Sequence, residues 1–183
     1  MKKLLVSLLF VVFSISTYAE IPKNFGTVIP NVFRGGILTQ EIEYKYLRDL
    51  GVDTIINLEF FHRDSAPYCN NFNFDCQKYS ILQIPYFNIN LKKLKEAFNA
   101  TNIALKENKK VYIHCFKGSD RTGALSSALM IRYETCGKSY DPNKLVTEVE
   151  DTLAKYNFNR KLFPSLYKEI IGWSKNPPKW ICD

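Results

Sequence analysis

The chain has 183 residues, with 25 Lys and Arg against 18 Asp and Glu, a formal net charge of +7, and 46% hydrophobic against 23% charged residues. That composition excludes a disordered or fibrous polypeptide, and the length suits one domain. The positive charge attracts polyanions but does not by itself choose among phosphorylated substrates, acidic membranes and nucleic acid.

In chain order, the first segment is a leader. Lys2 and Lys3 give a positive start, an apolar run extends from Leu4 to Ile15, and Thr17 and Ala19 sit at the small-residue positions before a cut ahead of Glu20. That is the plan of a secretory signal peptide, too short in its apolar run for a comfortable membrane span. Residues 1–19 are therefore expected to be removed. Residues 20–183 are expected to form a single domain, a monomer in the periplasm or outside a bacterial cell, with no membrane segment after processing.

The mature part alternates strands with helices. Asn31 to Gly36 reads as a short strand stopped by glycines, and Thr39 can cap a helix over 40–50 that Gly51 ends. Asp53 to Leu58 is a buried β-branched strand, 59–73 a polar, aromatic loop, and Gln77 to Pro85 another strand. A helical stripe covers 91–105, Lys110 to His114 is strongly β, and Thr122 to Tyr133 is a helix with small residues on one side. Further helices are expected from Pro142 to Leu153 and from Leu162 to Trp173. The alternation predicts an α/β fold with a mainly parallel central sheet flanked by helices.

Five cysteines, at 69, 76, 115, 136 and 182, leave one thiol free if the others pair in an oxidising compartment. Four cysteines allow three pairings. Cys69 with Cys76 would close a short surface loop, and Cys136 with Cys182 would tie down the C-terminal tail.

The chemistry-bearing segment is His114-Cys115-Phe116-Lys117-Gly118-Ser119-Asp120-Arg121-Thr122-Gly123, between the third β segment and a helix. A loop entering a helix N-terminus turns backbone N–H groups inward, and the helix dipole adds partial positive charge, which makes a cradle for a dianion. Helix N-termini with a nearby cation also favour the thiolate of a cysteine, the form that attacks phosphorus. Arg121, six residues on, offers a planar fork for two phosphate oxygens. Phe116, Lys117, Gly118 and Ser119 complete the substrate-binding loop, Gly118 by allowing close approach or a positive φ. Thr122 can donate its hydroxyl to the sulfur, and His114 is expected to point back into the scaffold.

This string resembles the signature of the protein tyrosine phosphatase superfamily, His-Cys, five residues, Arg, Thr or Ser, Gly. With Phe33-Arg34-Gly35 and the strand from Asp53 to Leu58, the chain is similar to small atypical dual-specificity phosphatases. The resemblance implies a cysteine-phosphatase-like fold. It also implies hydrolysis of phosphate monoesters through a cysteinyl-phosphate, with Cys115 as nucleophile, Arg121 as clamp and no metal or other cofactor. Expected substrates are phosphoproteins, phosphoinositides or inositol phosphates, not nucleic acid.

The family usually carries an acidic residue before the catalytic strand, but Pro85-Tyr86-Phe87-Asn88-Ile89-Asn90 contains none. Asp120, in the loop, is the first candidate for the general acid and Asp64 the second. Lys117, His62, Arg63 and Arg34 are candidates for a basic rim, and Phe60, Phe61, Tyr68 or Phe87 for the wall of a substrate slot. The alternative classes are a catalytically weak phosphate-binding module and a rhodanese-like sulfurtransferase.

Overall fold

The computed structural model describes residues 21–183. The leader expected over residues 1–19 lies outside the described residues. Five strands, β1 (Gly26–Ile29), β2 (Val32–Gly35), β3 (Val52–Asn57), β4 (Asp75–Lys78) and β5 (Lys110–His114), form one sheet in the order β1-β2-β5-β3-β4. Only the β1–β2 pair is antiparallel. β5 therefore sits in the centre, covered on both faces.

The alternation of side chains along β5 feeds two cores. Val111 and Ile113 point to one face, where they meet α3 (Leu91–Lys106), α4 (Asp120–Thr135), α5 (Pro142–Lys155) and α6 (Pro164–Lys175). Tyr112 points to the other, with Tyr44 and Leu47 of α1 (Glu41–Asp49) and Cys69 of α2 (Ala66–Asn71). The small residues of α4 let it lie deep: Gly123, Ala124, Ser126, Ser127 and Ala128 are all buried.

The predicted α/β class with a mainly parallel sheet is found. Local differences have local causes. The 59–73 segment is not all loop: α2 forms within it, started by Pro67 and held by the Cys69–Cys76 disulfide. The strand expected over Gln77 to Pro85 is β4, which ends at Lys78. Past Lys78 the chain crosses the end of β3, donating Tyr79 N–H to Asn57 O and Ile81 N–H to Leu58 O, and Ile81 drops into the core. Pro85 has no N–H and Tyr86 has a positive φ of 65°, so no ladder continues there. Glu43, not Thr39, starts α1, its carboxylate accepting from the N–H groups of Thr39 and Gln40. A short α7 (Lys179–Cys182) closes the chain, with Trp180 packed edge-on against Trp173 and Phe98. The Cys136–Cys182 disulfide anchors it to the end of α4. Both disulfides favoured from the sequence are present.

Candidate active site

β5 ends at His114 and α4 begins at Asp120, so residues 115–119 span the gap between a buried strand and a buried helix. Three successive carbonyls of this loop are drawn outward. Phe116 O accepts from Ile37 N–H at 3.1 Å, Lys117 O from Asn24 Nδ2 at 2.9 Å, and Gly118 O from the guanidinium of Arg34. In a trans peptide the C=O and the following N–H point oppositely, so each outward carbonyl turns the next N–H inward. Among the described residues, the N–H groups of Phe116, Lys117, Gly118 and Ser119 donate to no protein acceptor. Together with the first turn of α4 they form a cradle of positive partial charge.

Cys115 lies at its base, nearly buried, and is the free thiol among the described residues. It opens into a cavity of about 310 Å³ lined also by Phe116, Lys117, Ser119, Asp120 and Arg121 of the loop. Gln83, Pro85, Asn157, Asn159, Leu162 and Phe163 form the opposite wall.

Gly118 is held tightly, with φ at +70°; a Cβ there would stand 2.5 Å from the carbonyl carbon and oxygen of Gly35. Arg34, expected at the rim, is instead fully buried beneath the loop, over the Tyr156 ring at 3.9 Å, and desolvation pushes its pKa down to about 10. Its position on β2, beside the glycines on which Gly118 packs, makes it a strut of the cradle.

Arg121 is aimed by two acceptors. Its Nη2 meets Glu59 Oε2 at 2.6 Å and its Nη1 donates to Ile81 O at 3.0 Å, which fixes the plane of the guanidinium at the cavity wall. Glu59 continues into a buried network. Asn57 Oδ1 accepts from Glu59 N–H at 2.7 Å, Asn57 Nδ2 donates to Asp64 Oδ2 at 3.1 Å, and Asp64 Oδ1 stands 3.0 Å from His114 Nε2. His114 stacks on Tyr112 with centroids 5.6 Å apart. The network thus joins the residue before the nucleophile to the arginine after the loop.

Burial alone would raise the Asp64 carboxyl, but His114, Asn57 and His62 outweigh it and hold it below its ordinary value. Glu59 behaves alike: desolvation pushes up, and Arg121 with the N–H groups of Phe61 and Phe60 brings it lower. Asp120 goes the other way. Desolvation raises its carboxyl, and the Asn159 N–H bond at 2.7 Å, Arg121 and Lys117 only partly oppose it. Of the two candidate acids, Asp120 lines the cavity. Asp64 sits behind the loop with its side chain almost buried, so its place suits holding His114 and not protonating a leaving group.

Thr122 is fully buried, and its Oγ1 has no hydrogen-bond partner among the described residues, so the expected bond from its hydroxyl to the Cys115 sulfur is not formed. Arg63 is exposed beside a separate depression that it shares with Ala66, Asn70 and Lys78. Phe60, Phe61, Tyr68 and Phe87 do not line the cavity around Cys115. Glu59 and Asn57 are site residues that sequence reasoning missed. The available signal was a pair of polar residues closing an apolar strand at the rim where parallel strands end.

A family model described as "Tyrosine phosphatase family" matches residues 21–132. The chain belongs to the tyrosine phosphatase family. A search of curated protein sequences finds no match. Among solved structures, this phosphatase is similar to the core catalytic domain of the PP-IP phosphatase Siw14 from S. cerevisiae. That pair has 16% identity and a TM-score of 0.64, covering 88% of this chain and 90% of that one. It also resembles Tk-PTP in its active form, with 17% identity, TM-score 0.57, and coverage of 85% and 98%. A third is the PTP-2 phosphatase of Cydia pomonella, with 20% identity, TM-score 0.55, and coverage of 80% and 87%. At these identities the likeness is one of fold, that of the cysteine phosphatases.

Proposed function

We propose that this phosphatase hydrolyses phosphate monoesters through a cysteinyl-phosphate intermediate. The observation that carries the proposal is the loop whose Phe116, Lys117 and Gly118 carbonyls are bonded outward while the N–H groups of Lys117, Gly118 and Ser119 have no protein acceptor, in a segment that lines the cavity with Cys115.

In the first step the phosphate dianion occupies the cradle, its oxygens held by the loop N–H groups and by Arg121. The Cys115 thiolate attacks phosphorus, an S–P bond forms, and the P–O bond to the leaving group breaks. Asp120, its carboxyl raised by burial, gives its proton to the departing oxygen. In the second step Asp120, now a carboxylate, takes a proton from water as that water attacks phosphorus. The S–P bond breaks, releasing inorganic phosphate and regenerating the thiolate. Arg121 and the N–H groups serve both steps by matching the charge spread over the three equatorial oxygens. Glu59, Asn57, Asp64 and His114 act by holding that geometry.

Phosphorylated proteins and phosphorylated inositols or their lipids are the substrate classes this site would take. Lys117 and Arg121 in the cavity support them, as does the fold shared with a yeast PP-IP phosphatase. Export to an oxidising compartment is part of the proposal and draws support from the two disulfides. N-terminal sequencing of the protein recovered outside the cytoplasm should begin at Glu20; an N-terminus at Met1 would contradict export by cleavage.

The test is a panel of phosphotyrosyl and phosphoseryl peptides, phosphoinositides and inositol hexakisphosphate, with p-nitrophenyl phosphate as a soluble aryl ester. Cys115→Ser should abolish turnover of every substrate while retaining ligand. Persulfide on Cys115 after thiosulfate, with no phosphate release, would move the chain to sulfur transfer.

A further inference from the structure

The surface around the cavity is unusually apolar for a site that binds a dianion. Among the described residues eleven large hydrophobic side chains are exposed, and eight of them either line the cavity or the depression beside Arg121 or lie within two residues along the chain of one that does. On one side stand Phe60, Phe61 and Phe116, with the Phe60 and Phe61 rings 5.0 Å apart and Phe61 and Phe116 sharing a shallow depression with Arg121. On the other side Gln83 and Pro85 form the cavity wall, and the residues around them, Leu82, Ile84, Tyr86 and Phe87, turn outward. Tyr86 N–H bonds to the carbonyl of Leu162, which lines the same wall.

These side chains protrude. Phe61 is 82% exposed, Tyr86 and Phe87 67% each, and Phe116 55%. A peptide substrate is gripped by grooves that half-enclose its side chains, whereas residues this exposed stand largely clear of the protein, and the depression shared by Phe61 and Phe116 is shallow. Protruding aromatics mixed with cations are what a bilayer interface accepts, the rings at headgroup depth and the lysines and arginines against anionic phosphates.

The charge pattern agrees. Residues 79–90 contain no ionisable carboxylate or cation, and exposed Lys92 comes two residues later. Lys117 is exposed on the catalytic loop, and Arg160 and Lys161 are exposed beside Asn159 of the cavity wall. No acidic residue interrupts 156–163, although Glu150 and Asp151 share a neighbouring depression with Arg160; the one acid of 59–63, Glu59, is buried against Arg121, and the acid within the cavity is Asp120. Without Lys2 and Lys3 of the leader the chain carries 23 Lys and Arg against 18 Asp and Glu, a net +5, which suits a negative, partly apolar surface.

We propose that this fringe is a docking surface for an anionic lipid bilayer, and that the phosphate monoester entering the cavity is the headgroup of a membrane lipid. The proposal rests on the phosphatase reading above and narrows its substrate class. Phe61 and the Tyr86-Phe87 pair enter the interface on opposite sides of the mouth and set Cys115 facing the headgroup layer. Lys117 and Lys161 hold the surrounding phosphates.

The experiment uses vesicles of phosphatidylcholine with and without phosphatidic acid, a lipid phosphate monoester. Co-flotation reads docking, and phosphate release reads turnover. A short-chain monomeric phosphatidic acid, a phosphotyrosyl peptide and p-nitrophenyl phosphate are the soluble comparisons. The enzyme should float with the acidic vesicles, less so at high salt, and should hydrolyse vesicle lipid more efficiently than the monomeric form by roughly tenfold or more. Phe61→Ser/Tyr86→Ser/Phe87→Ser should lose that advantage while keeping p-nitrophenyl phosphate turnover within about twofold, since its three sites are exposed and outside the cavity. Equal vesicle binding and turnover by the triple variant and the parent would overturn the proposal. So would failure of the parent to float, combined with a preference for the peptide, which would hand the fringe to a protein partner. Flotation without phosphate release from any ester, aryl phosphate included, would support the docking surface and count against the phosphatase mechanism alone.

Discussion

Gly118→Ala is the change to which the cradle should be most sensitive, and its cost divides into two parts. The first is conformational: at a φ of +70° any residue with a Cβ costs roughly 1–2 kcal/mol more than glycine. The second is contact. The new methyl would lie 2.5 Å from the carbonyl carbon and oxygen of Gly35 and 2.8 Å from Gly36 N, so the loop must retreat by about 0.9 Å to reach ordinary contact at 3.4 Å. Backbone stands on both sides, so no side chain can yield instead. The retreat loosens the bond from Arg34 to Gly118 O and the Ile37 to Phe116 bond, of which the first, made by a charged donor, is worth roughly 1.5–3 kcal/mol. The expected destabilisation is roughly 2.5–5 kcal/mol by urea unfolding. A displacement near 1 Å at the reacting atoms should cost about a hundredfold in kcat/KM. Gly137→Ala is the control: its φ is +74° and nothing lies within 4 Å of a Cβ there, so it should show the conformational cost with unchanged kinetics. If the two alanine variants lose equal stability and Gly118→Ala keeps kcat/KM within about threefold, the loop is not held as described.

Asp120→Asn should slow hydrolysis of alkyl esters by roughly 10²–10³ and of p-nitrophenyl phosphate far less, since only the poor leaving group needs the proton; equal losses would remove the acid role. Because burial raises the Asp120 carboxyl, its stabilising contribution is present at acid pH and lost as pH rises through that raised value, so Asp120→Asn should be at least as stable as the parent near neutral pH. Its alkyl-ester activity should also lose the basic limb that the parent shows. Asp64 and Glu59 have lowered carboxyls, so their stabilisation is complete above the ordinary carboxyl range and lost as pH falls through the lowered values. Asp64→Asn should therefore flatten the acid limb of a stability–pH curve. Glu59→Gln should cost roughly tenfold or more in kcat/KM by freeing the guanidinium of Arg121, with the protein still folded by circular dichroism. Replacing both Cys136 and Cys182 by Ser opens a span of 46 residues, for which the chain-entropy relation gives a loss of about 4 kcal/mol; denaturation shifting by less than a quarter of that would contradict the anchoring role of α7.

What the sequence made visible were features that are local along the chain. The five β residues ending at His114, the loop and the small-residue helix are contiguous, so their order alone places a thiol and a guanidinium around one centre. The disulfides were legible because one cysteine closes a short span and another sits at the tail. What escaped depends on distant partners. Glu59 reads as one more polar loop residue until Arg121, 62 positions later, is set beside it. Arg34 looks like a surface cation until Tyr156 and Gly118 close over it. β1 and α2 have four and six residues, too few for a period to show, and they exist because β2 and the Cys69–Cys76 disulfide hold them. Asp64 follows a strand as an active-site acid would, and only the fold reveals that it faces His114.

The central claim is that Cys115 becomes phosphorylated within the ring of amides closed by Arg121. Rapid acid quench of the enzyme turning over a phosphate monoester, followed by peptide mass spectrometry, addresses it directly. A phosphoryl group is expected on the peptide bearing Cys115, accumulating at the start of turnover and absent from Cys115→Ser. Sustained phosphate release with Cys115 unmodified at every quench time, or undiminished turnover by Cys115→Ser, would contradict it.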